Sequence, residues 1–134
     1  MRKFTDIPAG TIHKAGEDYL ESILVLHRQK GMVRSVDVAQ FLGYSKPSVS
    51  NAVSVLQRAG YLFMDSDRFL HLTEEGQEIA ERIYERHCFF RDFLTEIGVD
   101  PKIAEEDACR MEHVISQQSF ECLKAMRKKD KLGE

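Results

Sequence analysis

Ser35-Val36-Asp37-Val38-Ala39-Gln40-Phe41-Leu42-Gly43-Tyr44-Ser45-Lys46-Pro47-Ser48-Val49-Ser50-Asn51-Ala52-Val53-Ser54-Val55-Leu56-Gln57-Arg58 is the run on which the fold turns. Ser35 precedes a short helical pattern in which Val38, Ala39 and Leu42 share one face, and Gly43 closes it. Ser45 is a good N-cap for a second helix, and Pro47 falls in its first turn, where proline is tolerated. Val49, Val53 and Leu56 make its apolar spine. Lys46, Ser48, Ser50, Asn51, Ser54, Gln57 and Arg58 are left facing outward. Two helices around a glycine-containing turn, the second with small polar groups outside, is the pattern of a helix-turn-helix. Serine and asparagine reach phosphates or base edges without blocking approach to the major groove. Ser48, Ser50 and Asn51 are therefore candidate DNA contacts, with Lys46 and Arg58 as phosphate anchors.

Downstream, Tyr61-Leu62-Phe63-Met64 and Phe69-Leu70-His71-Leu72 are strand-like runs on either side of the turn-forming Asp65-Ser66-Asp67-Arg68. A β-hairpin in this place is the wing of a winged helix, with Arg68 near its tip and within reach of a phosphate. Upstream, a helix is expected from about Lys14 to Gln29, with Leu20, Ile23, Leu24 and Leu26 as its stripe and Gly31 after its end. Residues 1–12, with Pro8 and Gly10, read as a loose arm.

Beyond the wing, Thr73 is an N-cap for a long helix from Glu74 to about Ile97, with Ile79, Ile83, Phe90, Leu94 and Ile97 apolar. Gly98-Val99-Asp100-Pro101 is a break. The next helix, about Pro101 to Ser116, carries Cys109, Glu112 and His113 at i, i+3 and i+4, so all three are expected on one face. A thiol, a carboxylate and an imidazole on one patch are the usual ligand set of a divalent transition metal. Three ligands rarely complete a site. The candidates to join them are Asp18 and Glu21, three apart on the first helix, and His87 on the long one. Acids in a first turn also favour the helix dipole, and a single histidine on a half-buried helix is ordinary. The metal reading therefore rests on the six together. Ser116 to Gln118 is expected to turn the chain into a last helix from Ser119 to about Arg127, followed by a frayed charged tail over 127–131.

Composition fits a globular, reduced cytosolic protein. In 134 residues the apolar share is 43% and the net charge −3, enough for a core and not a wholly basic nucleic-acid coat. No run of about 18 apolar residues points to a membrane span. Met1-Arg2-Lys3-Phe4-Thr5-Asp6 lacks the apolar core of a signal peptide. Cys88, Cys109 and Cys122 are an odd number without paired spacing, which reads as a reduced protein. A Gly-rich phosphate loop and a nucleophile–base pair are both missing, which argues against an enzyme and against a small organic substrate.

Taken together, Glu17-Asp18-Tyr19-Leu20-Glu21, Ser48-Val49-Ser50 through Leu56, Leu72-Thr73-Glu75-Gly76, Arg86-His87 and Cys109-Arg110-Met111-Glu112-His113-Val114 resemble the diphtheria toxin repressor family of metal-dependent transcriptional repressors. Length and first-helix pattern are closest to its manganese-regulator branch. The resemblance implies a mainly α chain. A winged helix-turn-helix over 1–73 would be followed by a helical metal-binding and dimerisation domain over 74–134, without the SH3-like domain of longer members. It also implies a homodimer that represses genes of metal homeostasis from a double-stranded, palindromic operator. Asp18 and Glu21 are similar to the manganese pattern and Cys109 to the iron-responsive one. His87, Glu112 and His113 suit both. An ancillary site of the iron branch is matched at His87 only, since Arg91 and Glu105 stand where it has an acid and a histidine. Carboxylates favour Mn(II) and a thiolate shifts preference towards Fe(II), Co(II) or Zn(II). Mn(II) or Fe(II) is expected as the cellular ion, one or two per subunit, with Zn(II) or Co(II) able to bind in vitro. Two rival readings are a winged-helix regulator answering to thiol oxidation at Cys109 or Cys88, and a small metalloenzyme.

Overall fold

A computed structural model describes residues 14–131; the arm expected over 1–12 lies outside them. The order is α1 (Lys14–Lys30), α2 (Ser35–Leu42), α3 (Lys46–Arg58), β1 (Leu62–Met64), β2 (Leu70–Leu72), α4 (Glu74–Glu96), α5 (Pro101–Met111) and α6 (Gln117–Lys131). Two compact units divide within α4, at Arg82 and Ile83. No described helix is long and apolar enough to cross a membrane.

In the first unit, α1, α2 and α3 pack around Leu20, Ile23, Val38, Val49 and Leu56, all buried. Burying a side chain of this size stabilises by about 1.5–3 kcal/mol, so the apolar stripes, not local propensity, hold the three helices together. Gly31 and Gly43 follow α1 and α2 at φ 86° and 72°, the left-handed region where a side chain is costly. α2 starts one residue earlier than expected, with Ser35 already helical and Arg34 at the N-cap. The Asp37 carboxylate, in the third helical position, takes the Arg34 N–H at 2.8 Å while also holding Lys30 at 2.8 Å. Ser45 does cap α3, accepting from the Ser48 N–H at 3.3 Å.

β1 and β2 pair antiparallel, Phe63 opposite His71, and form the expected hairpin. Asp65 organises its turn: one carboxylate oxygen accepts from the N–H groups of Asp67 and Phe69, and the other holds His71 at 2.7 Å. That last contact, with the Phe69 N–H, keeps the Asp65 carboxyl below its usual range. Thr73 then starts α4, its hydroxyl accepting from the Gly76 N–H and donating to the Gly60 carbonyl. Gly76 faces the Tyr61 backbone so closely that a Cβ there would overlap the Tyr61 carbonyl.

In the second unit Phe90, Ala108 and Phe120 form a small core, flanked by Phe89, Met111, Ile115 and Leu123. Asp100 caps α5, accepting from the Lys102 N–H at 2.9 Å. α5 ends at Met111 instead of running to Ser116. Ser116 caps α6 instead, accepting the Ser119 N–H at 3.1 Å, so Gln117 and Gln118 are helical and not a turn. The tail expected to fray over 127–131 continues α6. Arg127 pairs with Glu96 and lies over the Phe89 and Phe93 rings, contacts that a free tail would not have.

Candidate metal centre and DNA-facing helix

His87 projects from α4 into the second unit and is almost wholly buried. Both its nitrogens are engaged. Nδ1 lies 3.0 Å from Oε2 of Glu112 and 3.7 Å from Sγ of Cys109, and Nε2 lies 2.7 Å from Oε1 of Glu105. Glu112 is 1% exposed, and its other oxygen lies 3.1 Å from Nε2 of His113. A buried carboxylate is tolerated only when paired, and here two imidazoles bracket it. Cys109, one turn earlier on α5, is exposed.

Cys109 and then Glu112 push His87 up to about 11, against the opposing effect of burial. Carboxylates on both sides of the ring, Glu112 at Nδ1 and Glu105 at Nε2, favour its protonated form.

Donor chemistry fits a divalent ion. One nitrogen of His87, the sulfur of Cys109 and a carboxylate oxygen of Glu112 all lie within 4.8 Å of one another. An N, S, O set of that spacing can close on a transition metal once the ring and the thiol give up their protons. Of the six residues proposed from sequence, His87, Cys109, Glu112 and His113 come together in the second unit. Asp18 and Glu21 lie on α1 in the first unit, both half-buried, with Asp18 held by Lys14 at 3.2 Å.

Arg86 and Glu105 have contacts in this cluster that the sequence motifs did not announce. Arg86, buried beside His87, donates to the carbonyls of Glu112 at 3.2 Å and Ile115 at 2.6 Å, and to the Gln117 side chain at 2.9 Å. It closes the open carbonyl end of α5 and so fixes the turn that carries Glu112 and His113. Those two donors therefore stand at a helix end, not on a continuous helical face. Glu105 was read only as a departure from an ancillary site. Its spacing held a signal: Glu105 and Cys109 stand at i and i+4, one turn apart on α5.

In the first unit Lys46, Ser48, Ser50, Asn51, Ser54, Gln57 and Arg58 are all exposed along α3. The Ser48 hydroxyl accepts from Ser45 at 2.8 Å, which leaves it free to donate outward. Arg68 is exposed in the hairpin turn and is the one non-glycine among the described residues with positive φ, at 68°.

An exposed polar helix on a winged unit, and a converged N, S, O cluster on a helical one, define a DNA-binding regulator that holds metal ligands. Residues 12–70 match the family described as iron dependent repressor, N-terminal DNA binding domain. Residues 73–130 match iron dependent repressor, metal binding and dimerisation domain. The chain belongs to this family of metal-dependent transcriptional regulators.

Over 113 residues it is 37% identical to the transcriptional regulator MntR of Escherichia coli O6:H1, covering 84% of this chain and 73% of that one. An uncharacterised HTH-type transcriptional regulator of Methanocaldococcus jannaschii is 34% identical over 117 residues, 86% of this chain and 94% of that one. The solved structure of the manganese regulator SloR has a TM-score of 0.76 at 27% identity over 88% of this chain; the chain spans 54% of its length. These relatives are transcriptional regulators, and the enzyme reading is set aside.

Proposed function

We propose that the chain is a homodimeric repressor of metal homeostasis genes that senses Mn(II) or Fe(II) in the cytoplasm and grips a palindromic operator. The observation that carries this reading is the convergence of His87, Cys109 and Glu112 donor atoms within 4.8 Å. The ligand set is His87, Cys109, Glu112 and His113 from the second unit, with Asp18 and Glu21 supplied by α1. One ion or two per subunit fit the set, since each carboxylate of Glu112, Asp18 and Glu21 offers two oxygens. A bound ion supplies the positive charge that lets these acids share one place. Asp18 and Glu21 then hold α1, and with it α3, which packs on α1. In the dimer the two α3 helices take a separation of about one DNA turn or a multiple of it.

Lys46, Arg58 and Arg68 meet phosphates, while Ser48, Ser50 and Asn51 face base edges or sugar-phosphate. Exposed Ile103, Val114 and Met126 in the second unit support burial against a second copy. Ligation can shift the equilibrium only by favouring the DNA-competent arrangement, so loss of a ligand should cost regulation before it costs the fold. The test is His87→Ala and Glu112→Ala in DNA binding with and without Mn(II) or Fe(II). Both variants should remain folded dimers that bind equally weakly with and without metal. Metal-dependent affinity at wild-type strength in either would overturn the ligand assignment.

A further inference from the structure

We propose that Glu105 is the positioning residue of the metal centre: its carboxylate takes the Nε2–H of His87 and thereby commits Nδ1 to the metal. The inference rests on the reading of His87 as a ligand. An imidazole can give a metal only the nitrogen that carries no proton, and which nitrogen that is follows from the hydrogen bond made by the other. Here the two sides of the ring face different chemistry. Nδ1 looks into the donor cluster, 3.0 Å from Glu112 and 3.7 Å from Cys109, while Nε2 sits 2.7 Å from Glu105 on the far side.

Glu105 is well placed for this role and poorly placed to be a ligand. Its side chain is 50% exposed, so its own desolvation costs little, whereas His87 is 8% exposed and cannot turn to seek another acceptor. It reaches the ring from one helical turn before Cys109, so a single helix sets the ring's tautomer from one side and offers a thiol from the other. Arg91, one turn after His87 on α4, lies within electrostatic reach of Glu105 and pairs with Asp92 at 3.0 Å. That fixed positive charge discourages a second cation beside Glu105. A carboxylate on Nε2–H also raises the electron density at Nδ1 and strengthens its bond to a metal, so the contact acts on affinity and orientation together.

The test compares the full chain with Glu105→Gln, Glu105→Ala and His87→Ala. Co(II) affinity is measured by competition with a chromophoric chelator. Ring nitrogen shifts of His87 are read by NMR in the Zn(II)-loaded, histidine-labelled protein. Expected for the wild type is a metal-shifted Nδ1 and a protonated Nε2 whose proton exchanges slowly. Glu105→Ala should lose about 10–100-fold in Co(II) affinity and its Nε2 proton should exchange fast. Glu105→Gln should recover part of both, because its amide oxygen still accepts the N–H. A metal-shifted Nε2, or wild-type affinity in Glu105→Ala, would overturn the inference. His87→Ala separates the two levels. If it binds Co(II) as tightly as wild type, the reading of His87 as a ligand fails. If it is weak while Glu105→Ala is unchanged, only the role of Glu105 fails.

Discussion

Replacing Arg68 by glycine should stabilise the protein and weaken its grip on DNA at once. Arg68 sits at φ 68°, its N–H bonded to the Asp65 carbonyl at 3.0 Å, so the turn geometry belongs to the backbone and survives truncation of the side chain. A left-handed non-glycine residue costs roughly 1–2 kcal/mol. Glycine removes that cost but gives back about 0.5–1 kcal/mol in unfolded-chain entropy. The net is a gain of about 0–1.5 kcal/mol, centred on about 0.75, or up to a few degrees in melting temperature for a domain of this size. Arg68 is exposed, so no core packing is lost. On DNA, the proposed Arg68 contact with one phosphate per protomer would be lost twice per dimer, so the slope of log K against log salt should flatten by about 1.8. The controlled comparison is Arg68→Ala, which loses the same charge but keeps the strained backbone. Thermal melts and fluorescence anisotropy across a salt series read both effects. Arg68→Gly no more stable than Arg68→Ala would refute the strain argument. An unchanged salt slope would remove Arg68 from the phosphate contacts.

Further outcomes follow from single positions. Gly76→Ala should destabilise by roughly 2 kcal/mol or more, because the new methyl meets the backbone of Tyr61 and no flexible side chain can yield; a denaturant melt showing stabilisation through helix propensity would contradict that close approach. Asp65, held below its usual range first by His71 and then by the Phe69 N–H, contributes stability that is present above the ordinary carboxylate pKa of 3.8 and lost as pH falls through its folded value. Asp65→Asn keeps the acceptor for the turn N–H groups and should flatten that acid dependence, as followed by melting between pH 2 and 6. His87, pushed up to about 11 by Cys109 and Glu112, should yield a proton when metal enters. The logarithm of metal affinity should then rise by about one per pH unit on account of this ring, and the slope should fall by about one in His87→Ala. In the metal-free fold the same raised value gives stability that is complete below the ring's ordinary 6.5 and lost as pH climbs through about 11.

The winged helix was legible because each of its signals is local. Ser45 announces α3 three residues before the N–H it caps, and the apolar spine of Val49, Val53 and Leu56 forces the polar residues outward. The second unit was harder because its decisive contacts are long-range. Ser116 is a serviceable mid-helix residue by propensity, and only the pull of Arg86, thirty positions upstream, on the Glu112 and Ile115 carbonyls makes the preceding turn a better end for α5. Arg127 looked like part of a charged tail for the same reason: Glu96, Phe89 and Phe93 reach it from α4. The candidate metal donors were visible as a set of residue types. Glu105 stood out only as a departure from the ancillary-site pattern, because its contact with His87 runs between α5 and α4 and has no motif in the sequence.

The most direct measurement is anaerobic DNA-binding anisotropy on the operator region upstream of the gene, first in chelator and then with Mn(II), Fe(II) and Zn(II) added separately, for the wild type and His87→Ala. Tight binding by the wild type only with metal is expected, with no response to any ion in His87→Ala. Equal wild-type affinity in chelator and in metal would leave the winged helix standing as a DNA binder and contradict the metal-gated switch.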